Sequence, residues 1–293
     1  METYAPPVDR LLTLPAPMLA EDRQHWASDP GLVGFTLADL PELLRLARDG
    51  ELHADDKRRW GAPVHAWRAM ALLPPEAVAR SLVRLVADNV EWDSDWLGED
   101  LVHAVARLGA TALPELAAAL AESGQPDRAQ LLWASCIKET ARAHPELRDS
   151  VISVAIAALE RHEDLAPWAN AVLVGTLVDL KAVEAADLIE AAYEADSVAR
   201  FVAGDWPDLK HELGLGPPPP QRPSMFERIM AERAAAQPNG TSRPPAWQPA
   251  PGRAPFARGA FEDGAAPRSA REREKARAKR QAAKASRKQN RKR

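Results

Sequence analysis

Between residues 64 and 193, apolar positions recur in a pattern that repeats four times along the chain. In each segment, apolar residues lie three or four positions apart, a tight break follows, and the same spacing then resumes. This spacing places apolar side chains along one face of an α-helix, so each segment predicts a helix pair. The clearest second helices carry Val78, Leu82, Leu85 and Val86; Leu113, Leu116 and Leu120; Val151, Val154, Ala155 and Ala158; and Ala186, Ile189 and Tyr193.

The breaks between paired helices have a regular period. They fall at Leu73, Leu108, Ala143 and Leu180, which lie 35, 35 and 37 residues apart. One amphipathic pair cannot bury its apolar face alone, but stacked pairs form a continuous core. The pattern therefore predicts an all-α, solenoid-like body of about four helix pairs. A four-helix bundle is the main structural alternative, but it is less favoured because a bundle does not require a regular period.

Helix-ending residues set the limits of this body. A helix predicted from Leu37 to about Arg48 caps the N-terminal end, and residues 1–34 are expected to form an irregular arm along the surface. At the other end, Gly214 and Gly216 precede four consecutive prolines, which cannot continue a helix. We therefore assign residues 35–216 to the helical repeat domain.

Residues 217–268 are expected to form a disordered linker. Residues 217–267 contain twelve of the 26 prolines of the chain and few apolar side chains, too few to offset the entropy lost on folding. One segment, Met225–Ala236, differs because Phe226, Ile229 and Met230 recur at helical spacing. It is either a short helix that packs loosely on the body or a helix that binds a partner.

The charge of the chain divides at the same border. Residues 1–216 contain 19 Lys and Arg against 36 Asp and Glu, a net charge of −17, whereas residues 217–293 contain 19 against 6, a net charge of +13. Residues 269–293 form a basic tail that is a candidate site for RNA or another polyanion. Its twelve cationic residues are Arg271, Arg273, Lys275, Arg277, Lys279, Arg280, Lys284, Arg287, Lys288, Arg291, Lys292 and Arg293. The tail could instead fold over the acidic body, or serve only to keep the protein in solution.

The segments at the breaks also resemble a known family. Residues 108–114 (LGATALP), 143–148 (AHPELR) and 177–186 (LVDLKAVEAA), with the closing 204–206 (GDW), resemble HEAT-like repeat proteins, in particular bacterial members related to the phycobilisome-lyase repeats. The resemblance covers roughly residues 35–215 and implies an α-solenoid that binds other proteins. It implies no particular chemistry, because a fold does not determine a function.

The residues themselves give no catalytic signature. The chain has no glycine-rich phosphate loop and no metal-binding histidine motif, so we expect no catalytic residues, no metal, no cofactor and no small-molecule substrate. Its one cysteine, Cys136, lies among apolar residues and is expected to be a buried structural thiol. His65 and His103 recur on first helices and are assigned to packing or capping.

One acidic and aromatic segment is a candidate protein-binding site. Within residues 91–100, five acidic residues surround two tryptophans. The candidate binding residues are Trp92, Asp93, Asp95, Trp96 and Glu99, which would attract a basic partner through charge and cation–π contacts. The alternative is an inter-repeat loop in which the Trp rings cover the core and Asp95 or Glu99 caps the following helix.

Together these features predict a non-enzymatic adaptor. Its body would bind a protein partner, and its tail would add affinity for RNA or another polyanion. An enzyme or cofactor-attachment factor of the lyase-like repeat class is the alternative. The N-terminus lacks a basic start followed by an apolar run, and no stretch of 18 apolar residues occurs, so we expect a cytoplasmic protein without membrane spans.

Overall fold

The body of the protein is built from α-helices. The computed structural model describes residues 3–17, 23–54, 58–92 and 94–218, which contain twelve α-helices and no β-strand. The helices are α1 Leu40–Ala47, α2 Gly50–His53, α3 Ala62–Met70, α4 Pro75–Asp88, α5 Val102–Ala106, α6 Ala112–Ala121, α7 Asp127–Ala143, α8 Arg148–Leu159, α9 Pro167–Asp179, α10 Ala186–Glu194, α11 Arg200–Ala203 and α12 Trp206–Glu212. The predicted linker and basic tail, apart from Pro217 and Pro218, lie outside the described residues.

The helices stack in two layers. First helices α3, α5, α7, α9 and α11 each contact the next first helix, while second helices α4, α6, α8, α10 and α12 do the same on the other side. Each predicted break separates two helices of one pair. The all-α prediction is therefore confirmed. The four-helix bundle is wrong for these residues, because successive pairs contact mainly their neighbours in sequence, as in a solenoid.

Proline and glycine mark several of the helix limits. Pro75 and Pro167 open α4 and α9, where the missing N–H would have had no intrahelical partner. At the end of α12, Gly214 adopts a φ of +80°. The N–H of Leu215 then donates to the carbonyl of Lys210, which closes the helix in a Schellman turn. The last helix of the described residues thus ends at Glu212, four residues before the predicted border near Gly216.

Buried amide side chains tie successive pairs together. Gln130, the fourth residue of α7, donates from Nε2 to the carbonyl of Gln125 (2.9 Å) and accepts from the N–H of Ala166 (2.7 Å). Asn170, the fourth residue of α9, donates from Nδ2 to the carbonyls of His162 (2.7 Å) and Ser197 (2.9 Å). Equivalent positions in two repeats therefore bond both the preceding loop and the next one.

The N-terminal arm is part of the core, which corrects the expectation that it follows the surface. Two 3-10 helices, Val8–Thr13 and Arg23–Ser28, belong to it. Its apolar side chains pack against the body because an exposed apolar face is costly in water. Those that are almost fully buried are Tyr4, Val8, Leu11, Trp26 and Leu32.

Polar contacts fasten the same arm to α1 and to Asp49 at the start of α2. The N–H of Ala5 donates to Glu42 Oε1 (2.9 Å), and Arg45 donates to the carbonyl of Thr3 (2.8 Å). The Tyr4 hydroxyl donates to Asp49 (2.6 Å). The predicted capping helix is present as α1, but the arm covers it.

A buried ion pair links α3 to the segment that follows α4. Arg68 donates from Nε to both carboxylate oxygens of Asp100, at 3.2 and 3.1 Å, and the two residues are 4% and 1% exposed. Asp100 lies in a single π-helical turn, Leu97–Leu101, that leads into α5. A buried charge pair of this kind is costly to break, because the remaining partner is left uncompensated.

Among the described residues, no single helix is long and apolar enough to cross a membrane. One pair, Leu97–Ala106 with Gly109–Ala121, reaches the required length and apolarity together, but it is bent by 105° at its break. Its large apolar side chains, including Leu101, Val105 and Leu116, are buried within the body.

Candidate protein-binding surfaces

The two tryptophans of the candidate segment face the core. The ring of Trp92 stacks on His53 with centroids 4.4 Å apart and lies 6.1 Å from Trp67. The ring of Trp96 packs at 5.4 Å against Trp60. Both are half-buried and rest against the core. The interpretation in which these rings cover the core is therefore confirmed.

The described acidic residues of the segment differ in their exposure to solvent. Asp95 and Glu99 are exposed, Asp100 is buried against Arg68, and Asp93 lies outside the described residues. Neither Asp95 nor Glu99 provides the expected cap, because Trp96 is the N-cap residue of the Leu97–Leu101 turn and its terminus has no side-chain cap; the Ser94 Oγ accepts from the N–H of Trp96 (3.2 Å). The rings are half-buried, whereas Asp95 and Glu99 are exposed, and the role of these residues in binding stays a prediction.

Arg128 of α7 holds this segment in place. Its guanidinium donates to the carbonyls of Val90 (3.2 Å), Trp92 (2.8 Å) and Ser94 (3.1 Å). Three bonds from one fixed side chain specify the path of the loop between repeats. The most conspicuous segment of the sequence thus has a clear structural role.

A more exposed apolar surface lies at the C-terminal end of the body. Trp168, Phe201 and Val202, which we call the C-terminal aromatic patch, are 47%, 75% and 43% exposed. The rings of Trp168 and Phe201 meet edge to face with centroids 4.4 Å apart. Exposed aromatic side chains are typical anchors of protein interfaces.

The repeat architecture positions this patch. Trp168 lies in the first turn of α9, and Phe201 and Val202 lie on the four-residue α11. The N–H of Ala199 donates to the carbonyl of Pro167 (3.0 Å), next to the bond from Asn170 to Ser197. These contacts fix the start of α11 against the start of α9, so the two rings are held together before any partner arrives.

Sequence reasoning did not identify this patch. The available signal was the run Val198 to Val202, five residues of which four are apolar, in a segment bounded by Asp196 and Gly204. Val198 and Ala199 precede the four-residue α11, whereas Phe201 and Val202 lie on it. Val198 and Ala199 are buried, and Phe201 and Val202 are left outside.

A pocket of the described body lies where first helices end. It has a volume of about 770 Å³ and is bounded by Trp26 of the arm and by residues at the ends of α3, α5 and α7. Its walls are mainly apolar, with Arg107, His103 and His144 as the polar lining residues. His144 packs over Gly109, whose φ of +58° and lack of a side chain leave room for the imidazole ring.

Burial shifts the pKa of several titratable groups in the described body. Burial raises the pKa of the Cys136 thiol well above its usual range, as expected for a structural thiol. Burial also raises the pKa of Tyr193 to about 12, and the Tyr193 hydroxyl donates to the carbonyl of Gly204. By contrast, burial lowers the pKa of His65. The Nε2 of His65 lies 2.8 Å from the carbonyl of Pro15, so His65 fastens the arm, as its assignment to packing implies.

Within the described ranges, no group of three or more His, Cys, Asp or Glu side chains is arranged to hold a metal ion. A scan against protein-family models and searches of curated proteins and of solved structures found no match to this chain.

Proposed function

We propose that this chain is a non-enzymatic adaptor whose helical body binds a protein partner and whose basic tail binds RNA or another polyanion. The observation that carries the proposal is the charge division, −17 in residues 1–216 and +13 in residues 217–293. A partner attracted to one part is repelled by the other. One chain can therefore hold a basic protein and an acidic polymer at the same time.

The two-layer stacking of helices supports the protein-binding part of this proposal. We propose that the body is a HEAT-like α-solenoid, in keeping with the resemblance at its breaks. The equivalent bonds of Gln130 and Asn170 in successive repeats favour this assignment. Stacked repeats present extended surfaces that suit peptide segments.

The composition of the tail supports the polyanion-binding part. Residues 269–293 contain twelve Lys and Arg and two Glu, with no aromatic residue. Cations without aromatic side chains neutralise phosphates but cannot stack on bases. We therefore expect binding that is sensitive to salt and insensitive to nucleotide sequence.

The tail is tested with the full chain and a full-length variant in which its twelve Lys and Arg are replaced by Gln. Affinity for a fluorescent 20-nucleotide RNA is measured at 50 and 200 mM salt. We expect the wild type to lose at least roughly 10-fold in affinity between the two salt concentrations, and the variant to bind weakly at both. Equal binding by the two proteins would refute the role of the tail.

The body is tested by affinity capture from the native host with the same two proteins. Partners that the Gln variant retains are partners of residues 1–268, whereas those it loses depend on the tail. The proposal expects at least one basic protein among the retained partners. If the variant retains none, the adaptor role of the body is wrong.

A further inference from the structure

The C-terminal aromatic patch contains the most exposed large hydrophobic side chain of the described body. Seven large hydrophobic residues of the described body are exposed, and five of them belong to residues 167–215. Phe201, at 75%, is the most exposed of the seven. Repeat bodies usually end on a polar face, because an apolar end associates with other molecules in water.

The patch is preorganised for binding. Ala199 is bonded to Pro167, and Asn170, which is fully buried, bonds Ser197. The edge-to-face contact of Trp168 with Phe201 restrains both rings. A partner therefore gains apolar contact without having to order the surface first, which preserves most of the interaction energy.

The charge around the patch indicates which partner fits. Residues 160–212 contain twelve Asp and Glu against four Lys and Arg. Glu163 and Asp164 precede α9, Asp196 precedes α11, and all three are exposed. Arg161 and Arg200 pair with Asp164 (3.2 Å) and Asp196 (3.7 Å) respectively. The surroundings stay acidic after these pairs are counted.

We propose that the C-terminal aromatic patch docks a basic, amphipathic peptide segment of a protein partner, an inference that rests on the proposed adaptor function. Apolar side chains of the segment cover Phe201, Val202 and the exposed edge of Trp168. Its Lys and Arg side chains face Glu163 and Asp196. A second copy of this chain fits the patch less well, because docking would bring two bodies of −17 net charge together.

The test uses the full chain and a fluorescent 16-residue probe peptide, with leucines at i, i+3, i+4 and i+7 and lysines at most other positions. Binding is followed by fluorescence anisotropy at 100 mM salt, and a scrambled peptide of the same composition controls for charge alone. Phe201→Ser is the principal variant. Leu37→Ser, which changes an equally apolar residue that is 47% exposed at the N-terminal end, is its matched control.

We expect Phe201→Ser to weaken probe binding at least roughly 10-fold, as for an interface anchor, and Leu37→Ser to change it less than about 2-fold. Glu163→Lys should weaken binding several-fold at 100 mM salt and much less at 500 mM, because salt screens the charge contact. Circular dichroism checks that each variant is folded. Equal probe affinity of Phe201→Ser and wild type would overturn the proposal.

Two further outcomes separate this inference from the adaptor function. If the wild type sediments as a dimer that Phe201→Ser dissociates, the occupant is a second copy and the peptide proposal is wrong. If Phe201→Ser captures the same basic partners as the wild type, the patch is refuted while the adaptor function stands. If the probe binds the patch but no basic protein is captured, the adaptor function fails and the patch remains a peptide-binding site.

Discussion

At the N-terminal end of the helical body, the arm buries Tyr4, Val8 and Leu11, whereas at the C-terminal end Trp168 and Phe201 stay in contact with solvent. Both ends carry aromatic residues and acidic neighbours, so composition alone does not distinguish them. The two ends differ in the covering that the neighbouring chain segments provide. Among the described residues, the arm supplies a covering layer at one end, whereas α11 leaves Phe201 and Val202 exposed at the other.

The two ends of the body differ in the role that we assign to them: one stabilises the fold, and the other is available to bind a partner. The closed end is fastened by buried apolar side chains and by hydrogen bonds from Arg45, Tyr4 and His65. The open end keeps its apolar side chains available. Substitutions at the closed end should therefore reduce stability, and substitutions at the open end should reduce binding.

The largest effect on the closed end is expected from Asp100→Asn. This substitution leaves the guanidinium of Arg68 without its carboxylate in a site where Arg68 is 4% exposed. Arg68 also lies 5.2 Å from the ring of Trp26, so the arm should loosen as well. We expect a loss of about 3–5 kcal/mol in the free energy of unfolding, measured by urea denaturation.

The control for this prediction is the double variant Arg68→Met/Asp100→Leu. It removes both charges and should recover much of the loss, because no uncompensated buried charge remains. If Asp100→Asn unfolds at the same urea concentration as the wild type, the pair does not stabilise this end.

A matched pair of alanine substitutions compares the two ends directly. Leu11 is 1% exposed, so Leu11→Ala should cost about 2–5 kcal/mol through lost burial and the cavity left behind. Phe201 is 75% exposed, so Phe201→Ala should change stability by less than about 0.5 kcal/mol. The same urea experiment measures both. Similar losses for the two variants would contradict the contrast between the ends.

Gly109→Ala tests how much stability is lost by a substitution in the middle of the body, for comparison with the two ends. The φ of +58° at this glycine is strained for any other residue, and an added Cβ would lie 3.3 Å from the His144 ring. We expect a loss of about 1–2 kcal/mol, between the values for the two ends. Thermal unfolding followed by circular dichroism measures it. A stabilised variant would show that the break between α5 and α6 tolerates a side chain.

The smallest expected effect is the change in stability with pH that results from the contacts of Glu42 with Arg45 and the arm. The hydrogen bond from Arg45, together with the N–H of Ala5, lowers the pKa of Glu42 to about 2. Because the folded state favours the ionised carboxylate, this stabilisation is complete above about pH 4.5 and is lost as pH falls toward 2.

Glu42→Gln tests this assignment. The variant should be less stable than wild type by up to about 1 kcal/mol at pH 7, and the difference should shrink at pH 3. Urea unfolding of both proteins at the two pH values gives the comparison. A difference that does not change with pH would mean that the ionised carboxylate of Glu42 does not fasten the arm.

The helices of the body could be predicted from sequence because their apolar spacing is local. The second helices from Val78 to Val86 and from Val151 to Ala158 lie within α4 and α8. The burial of the arm could not be predicted in this way. Val8 and Leu11 show no long periodic run, and their burial depends on contacts with residues far along the chain.

The candidate sites show the same limit. Trp92 and Trp96 are conspicuous in sequence, but their partners His53 and Trp60 lie about 40 residues earlier and turn the rings inward. Phe201 is inconspicuous, and it lies on the four-residue α11 with 75% of its surface exposed. Whether an aromatic residue is covered depends on tertiary packing, which local composition does not contain.

Amide hydrogen exchange of the full chain, with and without the basic probe peptide, shows directly which part of the body binds the probe. We predict that the probe slows exchange at the start of α9 and through α11, in peptides covering residues 163–170 and 196–203. Exchange in α1 should not change. Slowed exchange confined to residues 91–99, or no change anywhere in the body, would refute binding at the C-terminal aromatic patch.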